Sequence, residues 1–146
     1  MSAPSPPGTT FIDTNVLIYC HDTHNEVKHR AAEKLLTQLW TSGLGVLSTQ
    51  VLQEFYSAAT RKLRPALTPK QARQVVQDYS EWCRVDTDPL LILSASHLAE
   101  QHSINFWDAL IIEAALRIGA TELVTEDLNN GHRFGELTMR NPFASE

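Results

Sequence analysis

Short strand-like runs alternate with longer segments of helical periodicity along this chain. Thr9 to Asp13, Leu44 to Ser48, Arg84 to Asp86 and Glu122 to Thr125 read as strands, and Leu137 to Met139 as a further short one. Strands that are apolar on both faces need cover on both, and parallel neighbours need a crossover that is usually a helix. The pattern therefore predicts an α/β fold in which a parallel sheet lies between helices. In such sheets ligands bind outside the carboxyl ends of the strands.

The intervening segments carry helix signals. Asn15 to Tyr19 reads as a brief helix. Glu26 to Trp40 places Val27, Ala31, Leu35 and Leu39 on one face, and Gly43 stops it. A helix from Gln50 to Leu63 precedes Pro65. Thr68-Pro69 and Asp88-Pro89 each pair an N-cap with a proline at the first helical position, opening helices that reach Trp82 and His102. Asn105 caps a last helix ending at Gly119, and Asn129-Asn130-Gly131 is a turn.

The 146 residues suit one domain, residues 9–146, behind a Pro- and Gly-rich leader at 1–8 that is expected to be disordered. That leader has no basic or apolar signal region, and no 18-residue apolar span occurs, so no membrane association is expected. Cys20 and Cys83 are too few for a disulfide framework and read as small packed hydrophobes, with a cytoplasmic location as the default. A net charge of −5 argues against a protein that coats nucleic acid nonspecifically. Arg61, Lys62, Arg64, Lys70 and Arg73, with no acid between them, form either a local phosphate-binding patch or a solvated helix end.

Four acids are embedded in apolar surroundings. Asp13 ends Thr10-Phe11-Ile12, Glu54 interrupts Val51-Leu52-Gln53-Glu54-Phe55, Asp108 lies in Phe106-Trp107-Asp108-Ala109-Leu110, and Asp127 follows Leu123-Val124-Thr125. An unpaired carboxylate is costly to ionise there, and no matching Lys or Arg set accompanies the four. The missing partner reads as a cation, and oxygen-only ligands point to Mg²⁺ or Mn²⁺. Asp13 and Asp127 fall at carboxyl ends of strands. Glu54 and Asp108 fall in the first turn or so of helices. Each has a plainer reading: Asp13 as an N-cap, Asp108 as part of an Asn105-x-x-Asp108 capping box, Glu54 as a surface residue bordering the Val51, Phe55, Ala58 stripe, and Asp127 as a turn acid in competition with Glu126.

Rival sites have no support. His21, His24, His29, His97, His102 and His132 lack zinc-ligand spacing, and no Gly-rich nucleotide loop or Gly-x-Ser-x-Gly occurs.

At the four acids the chain resembles PIN-domain proteins, most closely the VapC-like toxins of bacterial type II toxin–antitoxin pairs. The resemblance runs through Phe11-Ile12-Asp13-Thr14-Asn15-Val16-Leu17, Gln50-Val51-Leu52-Gln53-Glu54-Phe55, Asn105-Phe106-Trp107-Asp108-Ala109-Leu110-Ile111 and Leu123-Val124-Thr125-Glu126-Asp127-Leu128. It implies a single PIN-like α/β/α sandwich and a Mg²⁺- or Mn²⁺-dependent endoribonuclease. Asp13 and Asp108 would be the main ligands, joined by Glu54 and Asp127, with Thr14, Asn15 and Thr125 orienting them. It further implies an RNA substrate, a homodimer and a cognate antitoxin. Glu126 before Asp127 departs from many relatives and leaves the fourth ligand open, with Asp127 favoured by register. The alternatives are a non-catalytic PIN-fold module that binds RNA or protein, and a DNA or flap nuclease, for which the chain has no evident DNA-binding extension.

Overall fold

The computed structural model describes residues 8–144. The expected leader lies outside the described residues except for Gly8. That residue packs so closely on Thr121 that a Cβ would meet its side chain at 2.1 Å.

The elements run β1 (Thr10–Ile12), α1 (Thr14–Tyr19), α2 (Glu26–Ser42), β2 (Gly45–Ser48), α3 (Thr49–Arg61), α4 (Pro69–Tyr79), β3 (Cys83–Val85), α5 (Pro89–His102), α6 (Phe106–Ile118), β4 (Glu122–Val124), β5 (Arg133–Phe134) and β6 (Leu137–Arg140). The sheet order is β3-β2-β1-β4-β6-β5. All pairings are parallel except β5 on β6, a small hairpin that the sequence reading did not anticipate. The α/β/α expectation holds. Phe11 of β1 sits level with Val46 of β2 and Leu123 of β4, and Leu123 with Met139 of β6. All four are buried, so the sheet's centre is also the centre of the core.

Local chemistry sets the helix ends. Thr68 and Gln71 form a reciprocal capping box behind Pro69. Asp88 accepts from the Leu91 N–H at 2.8 Å, again with proline at the first position. Gly43 and Gly119 close α2 and α6 with φ of 74° and 78°, a conformation that costs glycine little.

Three expectations need correction. The inward face of α2 is Ala32, Leu35, Leu36 and Leu39, and Val27 is 80% exposed. The helix drawn to Trp82 ends at Tyr79, where a 3₁₀ turn over Ser80–Trp82 tightens the chain into β3. Glu54 lies in the second turn of α3, not the first.

The topology fixes where a site can form. From β1 the chain moves outward through β2 and β3, then returns to pair β4 on the other side of β1. The β1/β4 boundary is a topological switch point, where the connections leave the sheet in opposite directions and open a crevice.

Candidate active site

Asp13 and Asp127 flank that crevice, one directly after β1 and the other in the loop after β4. Glu54 reaches it from α3, and Asp108 from the first turn of α6. All four line one cavity of about 510 Å³, together with Thr14, Asn15, Tyr19, Asp22, Lys62 and Trp107. Four segments distant in sequence thus converge on one pocket.

Their environments differ. Asp13 is only 6% exposed. Its Oδ1 accepts the Thr14 N–H at 2.7 Å and its Oδ2 accepts the Thr125 hydroxyl at 2.8 Å. Burial nevertheless pushes its carboxyl up to about 7, helped by the charges of Asp127 and Glu54 and opposed by the two hydrogen bonds. Asp108 is shifted upward too, first by partial burial, then by Asp127 and Glu54. Glu54 Oε1 accepts the Thr14 hydroxyl at 2.8 Å, and Asp127 Oδ2 accepts the Asn15 side-chain amide at 3.1 Å. Asp127 is exposed, so the apolar setting inferred for it from sequence does not hold.

Asp13 is indeed the N-cap of α1, so capping and pocket lining coexist. Asn105 caps α6 by accepting the Trp107 N–H at 2.8 Å, but Asp108 makes no return bond and there is no capping box.

Thr14, Asn15 and Thr125 hold the carboxylates in place. Thr14 bridges Asp13 and Glu54, while the Thr125 hydroxyl donates to Asp13 and accepts the Asp127 N–H at 3.1 Å. Glu126 points elsewhere. Lys28 Nζ donates to its carboxylate and, at 3.2 Å, to the Tyr19 hydroxyl, which itself donates to Glu126 at 2.9 Å. With its charge met by Lys28, Glu126 takes no part in lining the cavity, and Asp127 does.

No described Lys, Arg or His lies within ion-pairing distance of Asp13, Glu54, Asp108 or Asp127. Their combined donor set is oxygen only, as hard divalent ions prefer. No three described His, Cys, Asp or Glu side chains converge tightly enough to hold one ion as they stand. The features that fit a hard cation are the shared cavity and the oxygen-only donor set.

The basic stretch separates. Only Lys62, at the C-terminal cap of α3, lines the acidic cavity. Arg73 lines a different groove with Leu52, Tyr56 and Val76. The Arg64 guanidinium donates to the carbonyls of Arg61 and Leu63. Arg61 and Lys70 are exposed away from the cavity lining. Cys20 and Cys83 are free and partly buried. None of the six histidines lines the acidic cavity. No described helix is long and apolar enough to cross a membrane.

Sequence reading overlooked Tyr19, Asp22 and Trp107. A signal was present for the first two: Asn15, Ile18, Tyr19 and Asp22 recur at intervals of three and four, the spacing of one helix face, beginning beside Asp13. Trp107 directly precedes Asp108.

Comparison with known proteins agrees with this architecture. No curated protein matches the chain. Among solved structures, a toxin–antitoxin complex from Klebsiella pneumoniae superposes with a TM-score of 0.65 at 16% identity, covering 92% of this chain and 98% of that one. VapBC2 from Rickettsia felis, bound to a DNA fragment from its promoter, gives 0.59 at 18% identity, covering 91% and 98%. The sarcin–ricin loop cleaving toxin VapC20 of Mycobacterium tuberculosis gives 0.59 at 19%, covering 79% and 87%. The sequence model of the PIN domain matches residues 10–133, a span that contains all four pocket acids, and the chain therefore belongs to the PIN-domain family.

Proposed function

We propose that this protein is a Mg²⁺- or Mn²⁺-dependent endoribonuclease and the toxin of a toxin–antitoxin pair. The observation that carries the reading is the meeting of Asp13, Glu54, Asp108 and Asp127 in one cavity at the sheet's switch point, with no described basic partner.

In this reading Asp13 and Asp108 are the main ligands, and Glu54 and Asp127 complete the set directly or through water. A bound divalent ion supplies Lewis acidity and an acidified water for phosphodiester hydrolysis. Thr14 and Thr125 restrain Asp13 and leave its remaining lone pairs free. Asn15 restrains Asp127, and Lys28 keeps Glu126 out of the set. Lys62, the only basic residue among the described ones that line the cavity, is placed to meet a substrate phosphate. Products with 5′-phosphate and 3′-hydroxyl ends are expected from the family's chemistry.

The partners follow from the same reading. Structures of similar fold are toxin–antitoxin complexes, which supports a protein antitoxin for this chain. Leu90 and Leu93, one turn apart on α5 and 69% and 59% exposed, leave an apolar face suited to a homodimer. Sedimentation of the wild type against a Leu90→Glu, Leu93→Glu variant tests this; a monomeric wild type refutes it.

The alternative is a non-catalytic binding module, favoured by the lack of three converging ligands among the described residues. Cleavage of a mixed RNA pool with Mn²⁺, with EDTA, and by Asp13→Asn and Asp108→Asn variants separates the two. Metal-dependent fragments that both variants fail to produce establish the nuclease. Decay that is identical in wild type and variants, or absent from well-folded wild type, removes it.

A further inference from the structure

Trp107 is 59% exposed although it stands at the wall of the acidic cavity. A free indole presents a large apolar surface to water, and large aromatic side chains ordinarily bury most of theirs. The residue is not loose. Its N–H is held by Asn105 Oδ1 at 2.8 Å, and its carbonyl accepts from the side-chain amide of Gln50 at 3.3 Å. Gln50 is one of four buried polar or charged residues among those described, and its side-chain amide is committed to this bond. Phe106, packed against the core, meets the indole edge to face with centroids 5.4 Å apart. The backbone is thus restrained and the indole has an aromatic neighbour, while more than half of the residue's surface stays open to the cavity mouth and solvent. That is the build of a preorganised platform, with little ordering left to do when something lands on it.

What can land is set by the neighbours. Asp108 follows Trp107 directly, and Lys62 lines the same cavity. The volume of about 510 Å³ suits a small ligand or one splayed nucleotide and not a helix of nucleic acid. Every nucleobase has a π-face, and in a duplex both faces are already covered.

Resting on the ribonuclease reading above, we propose that Trp107 is the stacking platform for an unpaired nucleobase beside the scissile phosphate. Trp107 is a positioning residue here: it sets which phosphate reaches the acids.

The test is binding of short unstructured RNAs to the Asp13→Asn protein, with and without Trp107→Ala or Trp107→Phe. Loss of one base–aromatic stack, about 1–3 kcal/mol, corresponds to roughly 5- to 150-fold weaker binding. Trp107→Ala should show that loss, and Trp107→Phe should recover most of it. An RNA series with one abasic site moved along the strand should contain one position whose loss weakens the Trp107 protein equally and adds nothing to Trp107→Ala. A perfect duplex of the same sequence should bind weakly to all of them. Equal affinity of the Ala and Trp proteins, additive abasic effects throughout, or tight duplex binding overturns the inference and leaves the nuclease reading standing. So does a change of oligomeric state caused by Trp107→Ala, which would assign the indole to a subunit interface. Failure of the wild type with Mn²⁺ either to bind or to cleave these RNAs removes both.

Discussion

Replacing Asp13 with Asn should stabilise the metal-free protein, and by an amount that grows with pH. The carboxyl is pushed from 3.8 in a free chain to about 7 by burial in the folded one. Because the folded state binds the proton more tightly, its contribution to stability is full below pH 4, declines as pH rises, and is lost once pH passes 7. A shift of about three units is about 4 kcal/mol. Asn retains most contacts: its amide oxygen can accept the Thr14 N–H, its amine can donate to Thr125 Oγ1, and it caps a helix as well as Asp does. The Thr125 hydroxyl proton then loses its acceptor, at a cost of about 1 kcal/mol. The net gain at pH 8 is therefore about 3 kcal/mol, and at pH 5 it is under about 1 kcal/mol because the folded wild type is already protonated. Urea unfolding in EDTA at both pH values, wild type beside variant, measures this directly. The wild-type minus variant difference cancels the titrating groups that do not sense Asp13, leaving Asp13 and its coupling to Asp127 and Glu54. A variant equal to or less stable than wild type at pH 8, or a difference that does not change with pH, refutes the argument that Asp13 is held ionised against its burial.

Three other outcomes are expected. Millimolar Mg²⁺ or Mn²⁺ should raise the melting temperature of wild type, more at pH 8 than at pH 6, and leave Asp13→Asn nearly unmoved; no shift in wild type by differential scanning fluorimetry counts against the site. Lys62→Glu should weaken RNA cleavage and lower the slope of log affinity against log salt by roughly one, whereas charge reversal at Lys70 and Arg73, away from the cavity, should do neither; equal effects at all three positions would show that the cavity is not the RNA path. Ser48→Ala should stabilise the fold by about 1 kcal/mol, since the Ser48 hydroxyl is buried with no partner among the described residues and makes no capping bond; destabilisation in a denaturant titration refutes this.

Much of this molecule is determined by local sequence. Strand and helix order follows from short apolar runs and helical spacing, and the helix starts at Pro69 and Pro89 follow from a cap beside a proline. Asp13 and Asp127 could be assigned to one edge because parallel strands point the same way, so residues just past their ends share a rim. These are properties of nearest neighbours and of chain direction, which a linear pattern carries in full.

Other features were decided only by packing between distant segments. Which face of α2 turns inward depends on what covers it, and Ala32 and Leu36 were chosen over Val27 and Ala31 although both stripes have helical spacing. Glu54 belongs to the cavity because Thr14, 40 residues earlier, holds its carboxylate. Glu126 and Asp127 are adjacent and chemically alike, and register favours Asp127 without deciding between them. They are separated by Lys28 and Tyr19, which take Glu126 into an ion pair and leave Asp127 to the cavity. The same holds for the basic stretch, whose five charges look equivalent in a line but face different surfaces once α3 and α4 fold against each other. A charge is defined by its surroundings more than by its sequence neighbours, because Coulomb energy and desolvation depend on distance and burial in space. The sequence alone therefore showed that this chain concentrates acids at a sheet edge, and the tertiary structure alone decided which of them line one cavity and what stands beside them.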